Sequence, residues 1–152
     1  DFLHLYRSFV RAKGHAPPLS RRRLREYLRT CDLWMVYFDG QPVCGHLVAF
    51  SVGTPRVRLL YSASSRFAGF DNARISGPLN RYLHWVEFQH YQQCGIELYD
   101  FGGVGDGTSS IAKFKLSFGG VRVDDYSYVF AGTLGRFAYG LHRVSTRVRT
   151  RW

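Results

Sequence analysis

The first apolar residues of the chain recur at the spacing of an α-helix. They follow the pattern i, i+3, i+4, i+7, i+8, which places them on one helical face; they are Phe2, Leu5, Tyr6, Phe9 and Val10. Lys13 and Gly14 come directly after this pattern, and a basic last turn followed by glycine is typical of a helix end. The pattern predicts an amphipathic helix at the start of the chain.

A second helix is predicted after a pair of prolines, with Ser20 as its N-cap. Leu24, Tyr27 and Leu28 would form its inner face. Arginines occupy most of the other positions, which is typical of a solvated face, with phosphate contact as the alternative.

Two β-rich runs, LWMVYF and VCGHLVAFSV, lie on either side of Asp39 and Gly40. An Asp-Gly pair supplies the positive φ angles of a tight turn, so this segment predicts a β-hairpin. A third strand is predicted over residues 56–64. His46, in the second run, is predicted to be a hydrogen-bonded imidazole of the core.

A polar loop over residues 64–77 leads to a third predicted helix, which would begin near Pro78 and end before Gly95. Proline favours the first helical turn, and glycine favours the position after the last one. His84 and His90 are predicted to lie away from the buried face of this helix. The residues predicted to form that face are Leu79, Tyr82, Leu83, Val86 and Tyr91.

Residues 96–101 predict a strand, residues 109–117 a short helix, and residues 121–132 another strand. A last helix is predicted from Leu134, Phe137, Ala138 and Leu141. Strand, helix and strand in this order imply a parallel pair joined by a right-handed crossover. The predicted fold class is α/β (α+β), a mixed, mostly antiparallel sheet flanked by helices, in a single domain over residues 1–152.

Two double-glycine turns lie on either side of a short segment that carries Lys115. Glycine pairs let backbone N–H groups approach a ligand closely, and apolar neighbours would hold such turns rigid. The four glycines are Gly102, Gly103, Gly119 and Gly120. This arrangement predicts a ligand site within residues 99–120.

The motif DFGG at the end of a strand, followed by FKxxFGG, resembles the peptidoglycan-bridge aminoacyltransferases of the Fem family. The resemblance covers roughly residues 33–130 and implies a fold related to the GCN5-type acyltransferases (GNAT). It also implies that an aminoacyl group moves from aminoacyl-tRNA to an amine of a peptide or peptidoglycan precursor, with no metal or other cofactor.

The same resemblance implies roles for the residues of both motifs. Phe114 and Lys115, the FK pair, would be catalytic, with Lys113 as a substitute for Lys115. The Lys115 ammonium would stabilise the negative oxygen of a tetrahedral intermediate, an effect of roughly 3 to 4 kcal/mol on the barrier. Tyr99 and Phe118, together with the four glycines, would contact the donor.

Asp100 stands at the end of its predicted strand, where open α/β sheets commonly place ligand-binding groups. Its carboxylate would accept a proton from the attacking ammonium or orient it. Alternatively, it would cap the following turn by accepting backbone N–H bonds. The resemblance does not decide between the two roles.

Arg66, Arg74 and Arg81 flank the loop that enters the third predicted helix. A helix N-terminus and arginines suit phosphate, so a diphosphate or an RNA backbone is predicted to bind there. The segment RISGPL, residues 74–79, is similar in part to the (Q/R)xxGx(G/A) loop that holds coenzyme A pyrophosphate in GCN5-type enzymes. Leucine replaces the final small residue and proline intrudes, which weakens acyl-CoA as a donor without excluding it.

Composition adds a strong positive charge to this picture. The 152 residues include 21 Lys and Arg against 11 Asp and Glu, a formal net charge of +10. Such a charge points to a polyanionic partner, such as RNA, a nucleotide diphosphate or an anionic membrane surface, although a solubilising surface explains it equally well.

Three widely spaced cysteines, Cys31, Cys44 and Cys94, form no CxxC pair. They indicate neither a disulfide framework nor a zinc site, so no metal is predicted and a reducing cytoplasm is the expected compartment. No apolar run reaches the length of a membrane-spanning helix. The chain begins without methionine inside a helical pattern, so we expect an N-terminal portion to be missing.

Three functions therefore remain open. The first is the aminoacyl-tRNA-dependent transferase that the resemblance implies. The second is an N-acyltransferase that uses acyl-CoA. The third is a non-catalytic RNA-binding domain that has kept the fold, for which the arginine surface would predict binding with a steep salt dependence.

Overall fold

The computed structural model describes residues 1–16, 18–104, 108–125 and 145–151, with side chains except at 70–72, 125 and 145–151. Its helices are α1 (Phe2–Ala12), α2 (Arg21–Tyr27), α3 (Phe70–Gln93) and α4 (Ser110–Leu116). Its strands are β1 (Cys31–Phe38), β2 (Gln41–Phe50), β3 (Arg56–Ser64), β4 (Leu98–Gly103), β5 (Val121–Asp125) and β6 (Ser145–Arg151). Two compact units are present, Asp1–Tyr99 and Asp100–Arg151. The mixture of helices and strands confirms the predicted α+β class.

Both predicted N-terminal helices are present. α1 ends at Ala12, and Gly14 then takes a φ of 74°. The side chain of Ser20 accepts the N–H of Arg23 at 3.1 Å, which confirms it as the N-cap of α2. The prediction that Leu28 lies on the inner face of α2 was wrong, because 47% of its surface is exposed. α2 ends at Tyr27, one residue before Leu28.

The predicted hairpin is formed by β1 and β2, which pair antiparallel. Asp39 and Gly40 connect them with φ angles of 47° and 72°, as a two-residue turn of the primed type requires. β3 then pairs antiparallel with β2. The third predicted strand is therefore confirmed over the same residues, 56–64.

The three-stranded sheet of the first unit packs helices on both of its faces. On one face, Phe2 and Leu5 of α1 pack with Leu47 of β2. On the other face, Leu83 of α3 packs with Cys44 of β2. Because successive strand residues point to opposite faces, a strand between two helical layers must be apolar on both. The six consecutive buried residues of β2 reflect this position.

α3 begins eight residues earlier than predicted, at Phe70, and contains Pro78 in its interior. Proline removes one hydrogen bond of the helix, and a bulky residue before it would clash with its ring. Gly77 has no side chain, which relieves that clash. The backbone carbonyl of Ser76 accepts the Cys44 thiol at 3.4 Å, so the first turns of α3 are held against β2.

Two predictions about the buried face of α3 were wrong. Tyr82 is 60% exposed, whereas His84 is only 1% exposed. Leu83 and Tyr91 are buried as predicted. The error has a physical cause: His84 has polar partners in the core, described below, so burial does not leave its imidazole unsatisfied.

In the second unit, β6 lies between β4 and β5. β5 and β6 pair antiparallel, with Val121 opposite Arg149. The strand predicted over residues 121–132 is confirmed as far as residue 125. Its remainder and the predicted last helix lie outside the described residues.

Candidate active site

Lys115 is held at the end of β4 by two backbone carbonyl groups. It lies on α4, which is capped by the Ser109 side chain accepting the N–H of Ala112 at 3.1 Å. Its ammonium nitrogen donates to the carbonyl oxygens of Phe101 and Gly103, each at 2.7 Å. An ammonium has three N–H donors, and the third has no acceptor among the described residues. That donor is available to a ligand.

The environment of Lys115 lowers the pKa of its side chain. Burial lowers the pKa of the ammonium to about 8, and the charge of Asp100 opposes part of this shift. The group is therefore mostly cationic at neutral pH, but it titrates close to the physiological range. A half-buried cation of this kind is typical of functional sites.

Asp100 is fully buried, and its side chain turns back onto its own strand. Its Oδ1 accepts the backbone N–H of Gly102 at 2.8 Å, while Gly102 has a φ of 75°. Of the two roles left open by the sequence, this contact is the turn-capping one. Asp100 thus shapes the backbone whose Gly103 carbonyl receives Lys115.

The aromatic residues of the second motif pack beneath this turn. Phe118 stacks on Phe101 with ring centroids 5.3 Å apart, and Phe114 meets Phe118 edge to face at 5.1 Å. Gly119 has a φ of 79°, and its N–H bonds to the Leu116 carbonyl at 3.0 Å, so it ends α4. Gly120 follows as the residue before β5. A catalytic role for Phe114, and donor contact by Phe118 and the glycines, stay predictions.

A separate polar cluster is buried in the first unit, around Glu87 of α3. Its carboxylate lies 2.7 Å from His46 Nδ1, 3.3 Å from His84 Nδ1, and accepts the Tyr99 hydroxyl at 2.7 Å. Asn80 Oδ1 lies 2.9 Å from the other ring nitrogen of His46. Burial raises the pKa of Glu87, but His46 and, less strongly, His84 outweigh it and lower the pKa to about 2. The prediction of His46 as a hydrogen-bonded core imidazole is confirmed.

Tyr99 belongs to the same buried cluster. Its side chain has no exposed surface, and its hydroxyl is bound to Glu87. The ring therefore ties the start of β4 to α3, and donor contact by Tyr99 stays a prediction.

Only part of this cluster could be predicted from the sequence. His84 and Glu87 form an H-x-x-E pair, and residues three apart meet on one helical face, so half of the cluster was visible. His46 was not, because it lies 41 residues away from Glu87.

His46, His84 and Glu87 are also the one group in the described part of the chain whose ligand atoms lie close enough together, within 4.8 Å, for a metal ion. The two imidazole rings, however, face each other with centroids 4.2 Å apart and planes tilted by 31°. Such rings direct their nitrogen lone pairs side by side, whereas a metal about 2.0 Å from each nitrogen must lie near both ring planes. The geometry fits a shared carboxylate better than a metal.

The three candidate arginines are placed in the first unit, and all are exposed. Arg66 lies over the Phe67 ring, 5.3 Å from its centroid. Arg74 lines a groove of about 360 Å³ together with Phe38, Ile75, Pro78 and Leu79. Arg81 lies further along α3.

The sequence predicted that residues 74–79 lie at the loop that enters the third helix, and this placement was wrong. Residues 74–79 lie inside α3, where helical hydrogen bonds occupy the backbone N–H groups. The free N–H groups at the start of α3 are instead those of residues 70–72, because the N–H of Ala73 already bonds to the Gly69 carbonyl at 3.1 Å. The unbonded N–H groups of this helix start therefore lie about one helical turn before the position that the sequence indicated.

Cys31, Cys44 and Cys94 are free thiols, and burial raises the pKa of Cys44 to about 12. Within the ranges that the structure describes, no helix has the length and apolar character needed to cross a bilayer.

Several solved structures are similar to this chain, among them three acetyltransferases. One is the ribosomal-protein-S18-alanine N-acetyltransferase from Escherichia coli. The superposition covers 98% of the present chain and 87% of the Escherichia coli chain, with a TM-score of 0.58 and 12% sequence identity. A probable acetyltransferase from Staphylococcus epidermidis matches 88% and 78%, with a TM-score of 0.57 and 14% identity. An IAA acetyltransferase from Bacillus cereus matches 88% and 85%, with a TM-score of 0.51 and 15% identity. At these identities the likeness shows the fold, and it confirms the expected GCN5-related fold.

Sequence comparison gives the family directly. No curated protein matches the chain, but residues 1–116 match the family model described as an acetyltransferase (GNAT) domain. The match extends from α1 through α4 and includes Lys115. Since it spans most of the 152 residues, the chain belongs to the GNAT acetyltransferase domain family.

Proposed function

We propose that this acyltransferase domain moves an acyl group from acyl-CoA to a primary amine, with the Lys115 ammonium stabilising the transition state. The observation that carries the proposal is the placement of Lys115. Two of its N–H donors are fixed by the carbonyl groups of Phe101 and Gly103, and the third is left for a developing negative charge. A hydrogen-bond donor that is already fixed before the reaction does not have to reorganise when the negative charge develops.

The reaction needs little chemistry from the protein. The amine nitrogen attacks the thioester carbonyl carbon, a C–N bond forms, and the carbonyl oxygen becomes negative next to the Lys115 ammonium. The C–S bond then breaks, and coenzyme A leaves as the thiol with the proton that the amine loses. Holding amine and thioester together contributes several kcal/mol more.

The family and the fold support a thioester donor. The three similar structures are named as acetyltransferases, and the family carries the same description. The corrected start of α3 offers a place for the pyrophosphate of coenzyme A. Its free N–H groups at residues 70–72 lie between Arg66 and Arg74 in the chain, and a helix N-terminus favours phosphate.

A second candidate donor is aminoacyl-tRNA, as in the Fem-type enzymes. It is favoured by the joint presence of DFGG and FKxxFGG, with the lysine of the second motif bound to the carbonyls of the first. The same oxyanion chemistry would then act on an ester, and the acceptor would be an amine of a peptide or peptidoglycan precursor.

The donor is tested by supplying each one separately. The chain is incubated with acetyl-CoA, longer acyl-CoAs or aminoacyl-tRNA, together with peptides that carry an N-terminal or lysine amine. Products are read by mass spectrometry, because the exposed Cys94 would react with thiol reagents. Amine-dependent consumption of acyl-CoA supports the proposal. Consumption of aminoacyl-tRNA alone assigns the second candidate, and acylation by neither donor rejects both.

A further inference from the structure

One face of α3 presents two large aromatic side chains to solvent. Tyr82 and Trp85 keep 60% and 57% of their surface exposed. They stand at i and i+3, so they are neighbours on the helix surface, about 4.5 Å apart along its axis. Burying such rings against a partner would be favourable, because aromatic side chains contribute large contact areas. Exposed aromatic pairs of this kind are typical of binding surfaces.

The same face is positively charged. Arg74, Pro78 and Arg81 precede the aromatic pair at i, i+4 and i+7, and all three are exposed. The sequence of α3 contains two carboxylates: Glu87, which is fully buried, and Asp71, three residues before Arg74, so Arg74 and Arg81 leave a net positive charge on this face. With a net charge of +10 on the whole chain, this face attracts a polyanion.

Towards the N-terminus of α3, this face meets the groove of about 360 Å³. Arg74 and Pro78 belong to both, and Phe38, which is 49% exposed, lines the groove as well. A flat ring would fit between apolar side chains there while an attached anion meets the Arg74 guanidinium. The surface thus repeats one combination, an aromatic or apolar platform beside a cation.

We propose that this face of α3 binds single-stranded nucleic acid. Bases stack on Trp85 and Tyr82, a phosphate binds Arg74, and one further base enters the groove. Stacking on aromatic side chains beside a basic track is how single strands are held without sequence preference. The inference goes beyond acyl transfer, since Tyr82 and Trp85 take no part in that reaction; Arg74 alone is shared with the place proposed for the pyrophosphate.

Two other partners fit the surface less well. A second copy of the chain, docked face to face, would bring Arg74 and Arg81 against the same arginines and be repelled. An anionic membrane would satisfy the arginines, but a flat bilayer surface does not enter a groove. Nucleic acid is the polyanion that also supplies flat rings.

The test measures binding of a fluorescein-labelled 12-nucleotide oligouridine by the full chain. Trp85→Ala is expected to weaken binding about tenfold, the loss of roughly one stacked base. Arg74→Ala is expected to lower the slope of log affinity against log salt by about 0.7, the loss of one phosphate contact on a single strand. Both side chains are exposed, so thermal unfolding should be unchanged.

Matched controls separate this surface from general charge. Arg25→Ala removes an equal charge from the exposed side of α2 and should leave the salt slope unchanged. Phe67→Ala removes an aromatic ring that is 49% exposed elsewhere and should leave the affinity unchanged. The proposal is overturned if oligouridine does not bind, if a duplex binds as tightly, or if Trp85→Ala weakens binding only to anionic lipid vesicles.

Discussion

The ammonium nitrogen of Lys115 lies 2.7 Å from the carbonyl oxygen of Gly103. This contact joins the two glycine motifs, because Gly103 ends DFGG and Lys115 belongs to FKxxFGG. It also explains the positive φ of Gly102: the backbone must turn there for the next carbonyl to face α4. The motifs act as one structure, which holds a half-buried cation at the end of β4.

Replacing Lys115 tests its role in catalysis. Lys115→Ala removes the ammonium and is expected to lower kcat by about 10²- to 10³-fold, the usual cost of losing one oxyanion donor. Lys113→Ala is the matched control, because it removes an exposed lysine from the same helix and should leave kcat unchanged. A normal kcat in Lys115→Ala, measured with the donor that the chain consumes, would show that the cation is not used.

The pH dependence of activity tests the charge state of Lys115. Its pKa is lowered to about 8, so the ammonium is lost as pH rises through that value, and kcat/KM should fall on the alkaline side. Lys115→Arg keeps a positive charge throughout, since the arginine pKa exceeds 12, and should remove the alkaline fall. If kcat/KM instead rises through pH 8 because of Lys115, the lysine acts as a base.

Local signals predicted much of this fold. The spacing of apolar residues gave α1, the Asp39-Gly40 pair gave the hairpin, and Ser109 marked the start of α4. Each signal depends on neighbours within a few residues, whose geometry is nearly independent of the rest of the chain. The glycine motifs placed Lys115 near β4 for the same reason.

Features that depend on distant partners could not be predicted. Gly77-Pro78 is a typical helix start, but packing of Ser76 against Cys44 extends α3 across it. His84 has polar character, yet Glu87 makes its burial possible. In both cases tertiary contacts outweighed a local preference of about 1 to 3 kcal/mol.

Because Glu87 is charged and buried, the free energy of unfolding should depend on pH in the acidic range. Its pKa falls from 4.5 to about 2 in the folded chain, so its contribution is complete above pH 4.5 and is lost between pH 4.5 and 2. Glu87→Gln is expected to reduce the free energy of unfolding at pH 7 by about 3 to 5 kcal/mol. It should also flatten the acid side of the stability profile, measured by urea unfolding from pH 3 to 7.

A control separates this effect from the charge of the whole chain. Glu97 is exposed, so Glu97→Gln removes one carboxylate without disturbing the core and should change the free energy of unfolding by less than about 0.5 kcal/mol. Parallel pH profiles for Glu87→Gln and the unaltered chain would contradict the assigned role of Glu87.

Gly45 leaves space for α1 against the sheet. A Cβ at this position would lie 2.8 Å from Cδ2 of Phe2 and 2.6 Å from Sδ of Met35. Met35 can move its flexible side chain, but Phe2 is a rigid ring with only 2% exposure, so α1 must shift. Gly45→Ala is therefore expected to reduce the free energy of unfolding by about 1 to 3 kcal/mol, as overpacking usually does.

Because Phe2 causes this cost, removing its ring should relieve it. In a Phe2→Leu background, Gly45→Ala should cost clearly less than in the unaltered chain, a coupling that a double-mutant cycle of urea unfolding measures. Gly53→Ala is the matched glycine control. Its Cβ would meet nothing within 4 Å, and its φ of 74° predicts a cost of about 1 to 2 kcal/mol from backbone strain alone. That cost should be the same in both backgrounds, and equal coupling at the two glycines would refute the packing of Phe2 against β2.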